Sequence, residues 1–343
     1  MIPHGVRLDQ QKRASLKNGI VSFPSPEDLP APPKIKPLKK GAAAPRILSA
    51  AEEAGIADEF DGMMLERKLS LFASRKTELL VACGFDEDPY TSGAEAVLRE
   101  SAEDVAEGLR LAAKACGAKE RLVAASSQRE ARRFAACCTG TAAVAAGNRY
   151  PARTLLMQKL RRGGRKAEWI GVQACAALGA AVRGECRNET VVTVAGDGVR
   201  RWGNFRVRIG TPVGDVLAAG KPEEKVRLVA VGSSVTGRTV TDLSLPVTAA
   251  TRCVIALKRP PRVPAHPCVG CGRCARACPA GVLPWLVYRE LEGSSPETLR
   301  LFHVEDCVGC GACHTVCPSG IDLMAAVRRA AGLKEGRDLH ETE

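Results

Sequence analysis

Eight of the fifteen cysteines lie in two copies of one motif near the end of the 343-residue chain. The first copy reads Cys-Val-Gly-Cys-Gly-Arg-Cys-Ala-Arg-Ala-Cys-Pro over 268–279, and the second reads Cys-Val-Gly-Cys-Gly-Ala-Cys-His-Thr-Val-Cys-Pro over 307–318. Paired runs of C-x2-C-x2-C-x3-C-P are typical of a domain that holds two [4Fe–4S] clusters. Zinc sites usually show separated CxxC pairs, and disulfide sets are typical of small secreted proteins, so both alternatives fit this pattern less well.

The spacing also predicts which cysteines share a cluster. In two-cluster proteins the fourth cysteine of each run ligates the other cluster. We expect that cysteine to begin a helical turn, and we expect Gly272 and Gly311 to take positive φ so that the backbone can approach the cluster. The predicted ligands are two sets of four: Cys268, Cys271, Cys274 and Cys317 for the first cluster, and Cys278, Cys307, Cys310 and Cys313 for the second.

The other seven cysteines show no ligand spacing and are expected to be buried free thiols. An alternative for the vicinal pair Cys137-Cys138 is a redox pair. The seven are Cys83, Cys116, Cys137, Cys138, Cys175, Cys186 and Cys253.

The chain carries a formal net charge of +12, but its basic residues are spread out without interleaved aromatic residues. This pattern argues against nucleic acid and indicates solvated basic faces or docking to an acidic redox partner. No stretch approaches the roughly 20 apolar residues of a membrane span, and the N-terminus lacks the pattern of a signal peptide. We therefore expect a cytoplasmic protein without a transmembrane segment.

Four segments differ in composition. Residues 1–45 are rich in Pro and Lys, which predicts an extended arm along the surface. Residues 46–185 alternate strand and helix patterns, which predicts an α/β domain with a parallel sheet. Residues 186–257 are strand-rich around one short helix, which predicts an α+β domain of β-grasp type. Residues 258–343 hold a stiff linker and a helical domain with the cysteine motifs.

Three local patterns can be compared directly with a structure. Ser49 and Glu52 have the spacing of a capping box, which predicts that a helix begins there and ends at Gly55. Helical periodicity over 94–116 predicts one long helix with Gly117 at its end. The stretch 140–147 lacks the spacing of a nucleotide-binding loop and favours helix packing.

The chain resembles the C subunit of Rnf-type electron transport complexes and the related cobalamin-reductase-like and proline-reductase-associated flavoproteins. Pro89-Tyr90 follows an acidic turn as in that family, 191–199 and 207–212 are similar to the SLBB signature, and 268–284 is similar to the first cluster motif. The resemblance implies three domains in order: an α/β domain like the flavin subunit of complex I, an SLBB (β-grasp) domain and a ferredoxin-like domain with two [4Fe–4S] clusters.

The chain also departs from this family. Members that bind FMN carry a GxGGAGFPT loop after the first helix, where this chain has Asp58, Glu59 and Asp61. Acidic side chains repel a flavin phosphate. A second family segment, Tyr-x-x-Gly-(Gly/Glu)-Glu, appears as Tyr150-Pro-Ala-Arg153 without its glycine and glutamate. We therefore predict no FMN-binding residues and no catalytic residues.

These patterns together predict an iron–sulfur protein that relays single electrons through two [4Fe–4S] clusters to or from a partner oxidoreductase. The resemblance implies that the partner is a redox protein or a membrane-associated electron transport complex, which would hold the chain at the inner face of the cell membrane. The alternative is an FMN-dependent NADH:acceptor reductase, acting for example on cobalamin. Enzymatic activity and oligomeric state stay open at this point.

Overall fold

The computed structural model describes residues 19–23, 29, 31–39, 41–259 and 266–332. These residues divide into two compact units. The larger unit contains the described residues from 19 to 147 together with 156–259, and the smaller unit contains Asn148–Leu155 together with 266–332. Most of the predicted linker before the cysteine motifs, much of the N-terminal arm and the end of the chain lie outside the described residues.

The larger unit begins with a short strand and continues as alternating helices and strands. In chain order these are β1 (Ile20–Ser22), α1 (Ala44–Glu53), α2 (Leu65–Ser74), β2 (Leu79–Gly84), α3 (Gly93–Glu100), α4 (Ala102–Cys116), β3 (Glu120–Ala125), α5 (Gln128–Cys137), β4 (Ala142–Ala145), α6 (Ala152–Leu160), β5 (Ala167–Gly171) and α7 (Val172–Ala180). The first residues of α6 belong to the segment that groups with the smaller unit.

Four of these strands form a parallel sheet in the order β4-β3-β2-β5. Every residue of β2 is buried because the run Leu-Leu-Val-Ala-Cys-Gly carries no polar side chain. This confirms the parallel sheet that the strand–helix alternation predicted. The carboxyl ends of all four strands lie at one edge, which is where ligands bind in open α/β sheets.

Helices α4 and α7 pack unusually closely within this part of the unit. A Cβ atom at Gly108 of α4 would lie 1.8 Å from the carbonyl oxygen of Cys175, and one at Gly179 of α7 would lie 2.1 Å from that of Asp104. Only glycine permits such an approach of the two backbones.

The local predictions had mixed outcomes. The predicted capping box is wrong: α1 begins at Ala44 with a proline in its first turn, and the Ser49 hydroxyl donates to Glu53 within the helix. The predicted helix over 94–116 is interrupted at Ser101, whose ψ of 34° separates α3 from α4. The stretch 140–147 contains strand β4 instead of a packed helix.

The second half of the larger unit adds β6 (Glu189–Ala195), β7 (Gly203–Arg208), α8 (Val213–Ala219), β8 (Leu228–Val231), β9 (Arg238–Val240) and β10 (Cys253–Leu257). Together with β1 these strands form a six-stranded sheet in the order β1-β7-β6-β10-β8-β9. β1 pairs in parallel with β7, and β10 in parallel with β6, while the other pairs are antiparallel. The core of this sheet includes Val192, Phe205 and Val254.

The N-terminal arm is more than a surface segment. Its residues Ile20–Ser22 supply the edge strand β1, and the side chains of Ile35 and Leu38 are buried in the core of the parallel-sheet part. Apolar residues spaced along an extended segment can therefore bury themselves without forming a helix.

The smaller unit is helical, as predicted. Its helices are α9 (Arg273–Ala277), α10 (Pro284–Glu290), α11 (Pro296–Arg300), α12 (Ala312–Thr315) and α13 (Leu323–Ala330). Among the described residues of either unit, no helix has both the length and the apolar character that crossing a membrane requires.

Candidate metal centres

The two cysteine motifs fold into the same local shape. In the first, Gly272 has φ +67° and leads into α9, which carries Cys274; in the second, Gly311 has φ +70° and leads into α12, which carries Cys313. Positive φ at these two glycines was predicted and is observed. The third cysteine of each run lies in the helix and the fourth follows it, so the expectation that the fourth cysteine begins a helical turn is wrong.

The eight motif cysteines line two separate cavities. The first cavity is lined by Cys268, Cys271, Cys274 and Cys317. The second cavity is lined by Cys278, Cys307, Cys310 and Cys313. Each cavity thus takes three cysteines from one run and the fourth from the other.

Both cavities are chemically suited to a cluster. Trp285, Ile321 and Leu323 complete the wall of the first cavity, and Val282 and Val327 contribute to that of the second. All eight cysteines are free thiols in this structure. Among the described residues, no three His, Cys, Asp or Glu side chains converge closely enough to hold a single metal ion. Four soft sulfur donors around an apolar space fit an iron–sulfur cluster.

Burial affects how these thiols ionise. It raises the pKa of Cys274, Cys278, Cys307 and Cys313 above the ordinary thiol value. Nearby positive charge would favour the thiolate form in such surroundings, and a coordinated iron would supply it. For Cys307, the guanidinium of Arg328 on α13 acts in the same direction and lowers the pKa.

The two cavities differ in their exposure to solvent. Cys271 of the first cavity is exposed, and the neighbouring Val269 has 70% of its surface accessible. In the second cavity Cys278 is buried, and the other three cysteines are half-buried. The first cavity is therefore the more accessible of the two from solvent.

The backbone of the second motif has a tyrosine partner from far upstream. The hydroxyl of Tyr150 donates a hydrogen bond to the carbonyl oxygen of Cys310. Tyr150 lies in Asn148–Leu155, the segment that groups with the smaller unit, and only 5% of its surface is exposed. The sequence singled out this tyrosine only as part of an altered family segment.

Two further side chains within the motifs, those of Arg276 and His314, contact nearby residues. The Arg276 guanidinium reaches back to Gly272, 3.3 Å from where a Cβ would stand. Nδ1 of His314 lies 3.6 Å from Oδ1 of Asp322, and both side chains are largely exposed.

In the larger unit, the loop after α1 lies at the carboxyl edge of the parallel sheet, where the sequence lacks the glycine-rich segment. The fully buried Glu59 carboxylate accepts hydrogen bonds from the backbone N–H of Gln173, at 2.8 Å, and of Ala174, at 3.2 Å. These two groups lie in the first turn of α7, which is where a helix attracts an anion. Asp58 accepts a hydrogen bond from the N–H of Gly171, the last residue of β5, at 2.8 Å.

One lysine pairs with two acidic side chains of this loop. Lys68 Nζ lies 3.0 Å from Oδ2 of Asp58, 2.5 Å from Oδ2 of Asp61 and 3.8 Å from the centroid of the Trp169 ring. The Phe60 ring packs edge-on against Trp169 with centroids 5.5 Å apart. We call residues Asp58, Glu59, Phe60, Asp61, Lys68 and Trp169 the loop cluster.

The acidic turn before Tyr90 is also held by two side chains that flank strands of the second sheet. Asp88 Oδ1 accepts a hydrogen bond from the Ser233 hydroxyl at 2.6 Å, and Asp88 Oδ2 lies 3.3 Å from a guanidinium nitrogen of Arg252. That guanidinium also lies 5.0 Å from the centroid of the Phe60 ring. Acidic turn, second sheet and loop cluster therefore form one continuous set of contacts.

The non-motif cysteines largely behave as predicted. Cys83, Cys116, Cys138, Cys175 and Cys253 are buried, while Cys186 is half-buried and Cys137 is exposed. Burial, and to a smaller extent the neighbouring Cys137 thiol, raises the pKa of Cys138 to about 11. A raised pKa keeps a thiol protonated and unreactive, which disfavours the alternative of a redox pair.

Comparison with known proteins identifies the region of the two cavities. The family model described as "4Fe-4S dicluster domain" matches residues 267–321. The implied cofactors are thus two [4Fe–4S] clusters, as the motifs predicted.

Two similar proteins are each named as the C subunit of an ion-translocating oxidoreductase complex. That of Rhodobacter capsulatus is 30% identical over 292 residues, covering 78% of this chain and 56% of that protein. That of Pseudomonas aeruginosa is 32% identical over 267 residues, covering 71% of this chain and 34% of that protein. The chain is related to these C subunits. It spans about half, or less, of the length of the relatives it matches, and its predicted resemblance to this family is confirmed.

Solved structures show the same fold class. A chain of an NAD⁺-reducing [NiFe]-hydrogenase in the H₂-reduced state superposes with a TM-score of 0.58 at 18% identity. The superposition covers 86% of the present chain and 64% of the hydrogenase chain. A chain of the air-oxidized enzyme gives a TM-score of 0.55, also at 18% identity. At this level of identity the likeness concerns the fold alone, and it agrees with the predicted mixed α/β architecture.

Proposed function

We propose that this C-subunit relative is an iron–sulfur electron-transfer protein that relays single electrons through two [4Fe–4S] clusters. The proposed ligands of the first cluster are Cys268, Cys271, Cys274 and Cys317, and those of the second are Cys278, Cys307, Cys310 and Cys313. The observation that carries the proposal is the division of eight thiols between two apolar cavities, four in each.

The chain's own residues bind the clusters, exclude water and adjust the potentials. Apolar walls such as Trp285 and Val282 lower the local polarity, which disfavours the more negative, reduced cluster. The positively charged Arg328 guanidinium near Cys307 favours the reduced form of the second cluster. The exposed Cys271 side of the first cavity is the proposed point of exchange with a partner.

We also propose a division of the remaining chain into an arm over 1–45, a flavin-subunit-like domain over 46–185 and an SLBB domain of β-grasp type over 186–257, ahead of the cluster domain over 258–343. The six-stranded sheet around the single helix α8 supports the SLBB assignment.

The electrons are proposed to come from another protein, because the loop cluster occupies the edge where a flavin would bind. The Glu59 carboxyl group already accepts hydrogen bonds from the N–H groups of Gln173 and Ala174 in the first turn of α7, so these two donors are occupied and would not be available to a flavin phosphate. The proposed partner is an oxidoreductase or a membrane-associated electron transport complex, with this chain attached peripherally at the inner face of the membrane.

Metal and flavin analysis of the full chain tests this function. Anaerobically purified protein should contain about eight iron atoms and about eight acid-labile sulfides per chain. Acid-precipitated protein should release no FMN, and NADH should not bleach the cluster absorbance. Stoichiometric FMN together with bleaching by NADH would instead establish the flavin-dependent reductase.

A pair of cysteine variants tests the ligand sets. Cys310→Ala should lower the iron content to about half, because one cluster loses a ligand. Cys137→Ala, which removes an exposed cysteine outside both motifs, is the matched control and should keep the full iron content. Equal iron contents in the two variants would refute the assignment.

A further inference from the structure

We propose that Tyr150 is a positioning residue for the second cluster and raises its reduction potential relative to that of the first. This inference rests on the proposed function, since it presupposes a cluster held by Cys278, Cys307, Cys310 and Cys313. It concerns a residue that lies far from both cysteine motifs in the sequence.

The first step is geometric. The Tyr150 hydroxyl donates to the carbonyl oxygen of Cys310, the central cysteine of the second motif. The tyrosine is 5% exposed, so water does not compete freely for this bond. Because Cys310 and the next residue, Gly311, both line the second cavity, the bond holds the peptide that faces the proposed cluster.

The second step is electrostatic. A hydroxyl that donates to a carbonyl oxygen polarises the peptide group, and its N–H, that of Gly311, becomes more positive. Positive ends of dipoles beside an iron–sulfur cluster stabilise the extra negative charge of the reduced form. The Tyr150 hydroxyl therefore favours reduction of the second cluster.

The third step is the asymmetry between the cavities. The residue that corresponds to Cys310 in the first motif is Cys271, which is exposed. Among the described residues, no side-chain hydrogen bond to the Cys271 carbonyl is found. The hydrogen bond from Tyr150 therefore acts on the second cluster only. It would set a difference in reduction potential between two otherwise similar sites.

The test is a Tyr150→Phe substitution in the full, anaerobically purified chain. It removes the hydroxyl and keeps the ring. Potentiometric titration followed by EPR should show two reduction steps. We expect the step of the second cluster to move to lower potential by about 28 mV, which is a threefold change in its reduction equilibrium at 59 mV per tenfold. The step of the first cluster should not move.

Two further variants assign the reduction steps and provide a control. Cys307→Ser alters a ligand of the second cavity alone and identifies which step belongs to that cluster. Tyr288→Phe, a tyrosine in the same unit with 40% of its surface exposed, is the matched control and should leave both steps in place.

The possible results separate the two proposals. Both clusters present with unchanged potentials in Tyr150→Phe would overturn the role of Tyr150 and leave the electron-transfer function intact. Lower iron content without any shift of the remaining steps would make Tyr150 a purely structural residue, which also overturns the inference. A wild-type chain that binds fewer than two clusters would overturn the proposed function itself.

Discussion

Replacing Lys68 with methionine should destabilise the larger unit far more than an ordinary loss of a salt bridge. The Lys68 ammonium lies 3.0 Å from Asp58 and 2.5 Å from Asp61, and the three side chains are at most 8% exposed. Methionine keeps the apolar stem against the Trp169 ring and removes only the charge. The substitution leaves two buried carboxylates without their cation.

The magnitude follows from that burial. Removing one partner of a buried ion pair costs about 3–5 kcal/mol. Asp58 keeps the N–H of Gly171, and Asp61 keeps that of Met63, so we expect the lower end, about 3 kcal/mol. For a unit of this size each kcal/mol shifts the melting temperature by about 2–4 °C, which gives a decrease of about 6–12 °C.

The assay is thermal unfolding of the anaerobic protein followed by circular dichroism. Arg200→Met in the same unit is the control, because Arg200 pairs with Glu223 at 3.2 Å while its own side chain is 67% exposed. Its loss should cost less than about 1 kcal/mol. Equal decreases in the two variants, or a Lys68→Met decrease below about 2 °C, would refute the stabilisation of the loop cluster by the buried ion pairs of Lys68. Iron content should stay at the wild-type level in both.

Two further predictions concern the larger unit. Burial, and to a smaller extent the charge of Asp58, raises the pKa of Glu59 to about 8 from 4.5. The stabilising contribution of Glu59 is therefore complete below about pH 4.5 and is lost as pH rises to about 8. The melting temperature of the wild type should fall more between about pH 6 and 9 than that of Glu59→Gln, and parallel decreases would contradict this. Gly108→Ala should strongly lower the melting temperature or the yield of folded protein, because the new Cβ meets the Cys175 carbonyl at 1.8 Å. The control Gly147→Ala has open space around the new Cβ and should lower neither. Equal behaviour of the two variants would disprove the close packing of α4 and α7.

The features that could be predicted from the sequence are those that short-range sequence patterns determine. The parallel sheet was predicted from the alternation of strand and helix patterns over 46–185, and positive φ at Gly272 and Gly311 from a motif whose spacing permits little else. In these places a few neighbouring residues determine the local structure.

Other features depend on contacts that no local pattern contains. The break at Ser101 leaves the helical periodicity of 94–116 almost unchanged, so one helix was predicted where two exist. Asp88 meets Ser233, 145 positions later, and Tyr150 meets Cys310, 160 positions later. An acidic residue and a tyrosine carry no sequence signal for partners at such distances.

The exchange of the fourth cysteine between the two runs has a consequence for how the protein matures. Since Cys317 closes the cavity of the first run and Cys278 that of the second, neither run offers the four proposed ligands of a cluster while the other is unfolded. Both runs must therefore fold before either proposed cluster is complete. Damage that unfolds one run, unlike the loss of a single thiol, should release the iron of both.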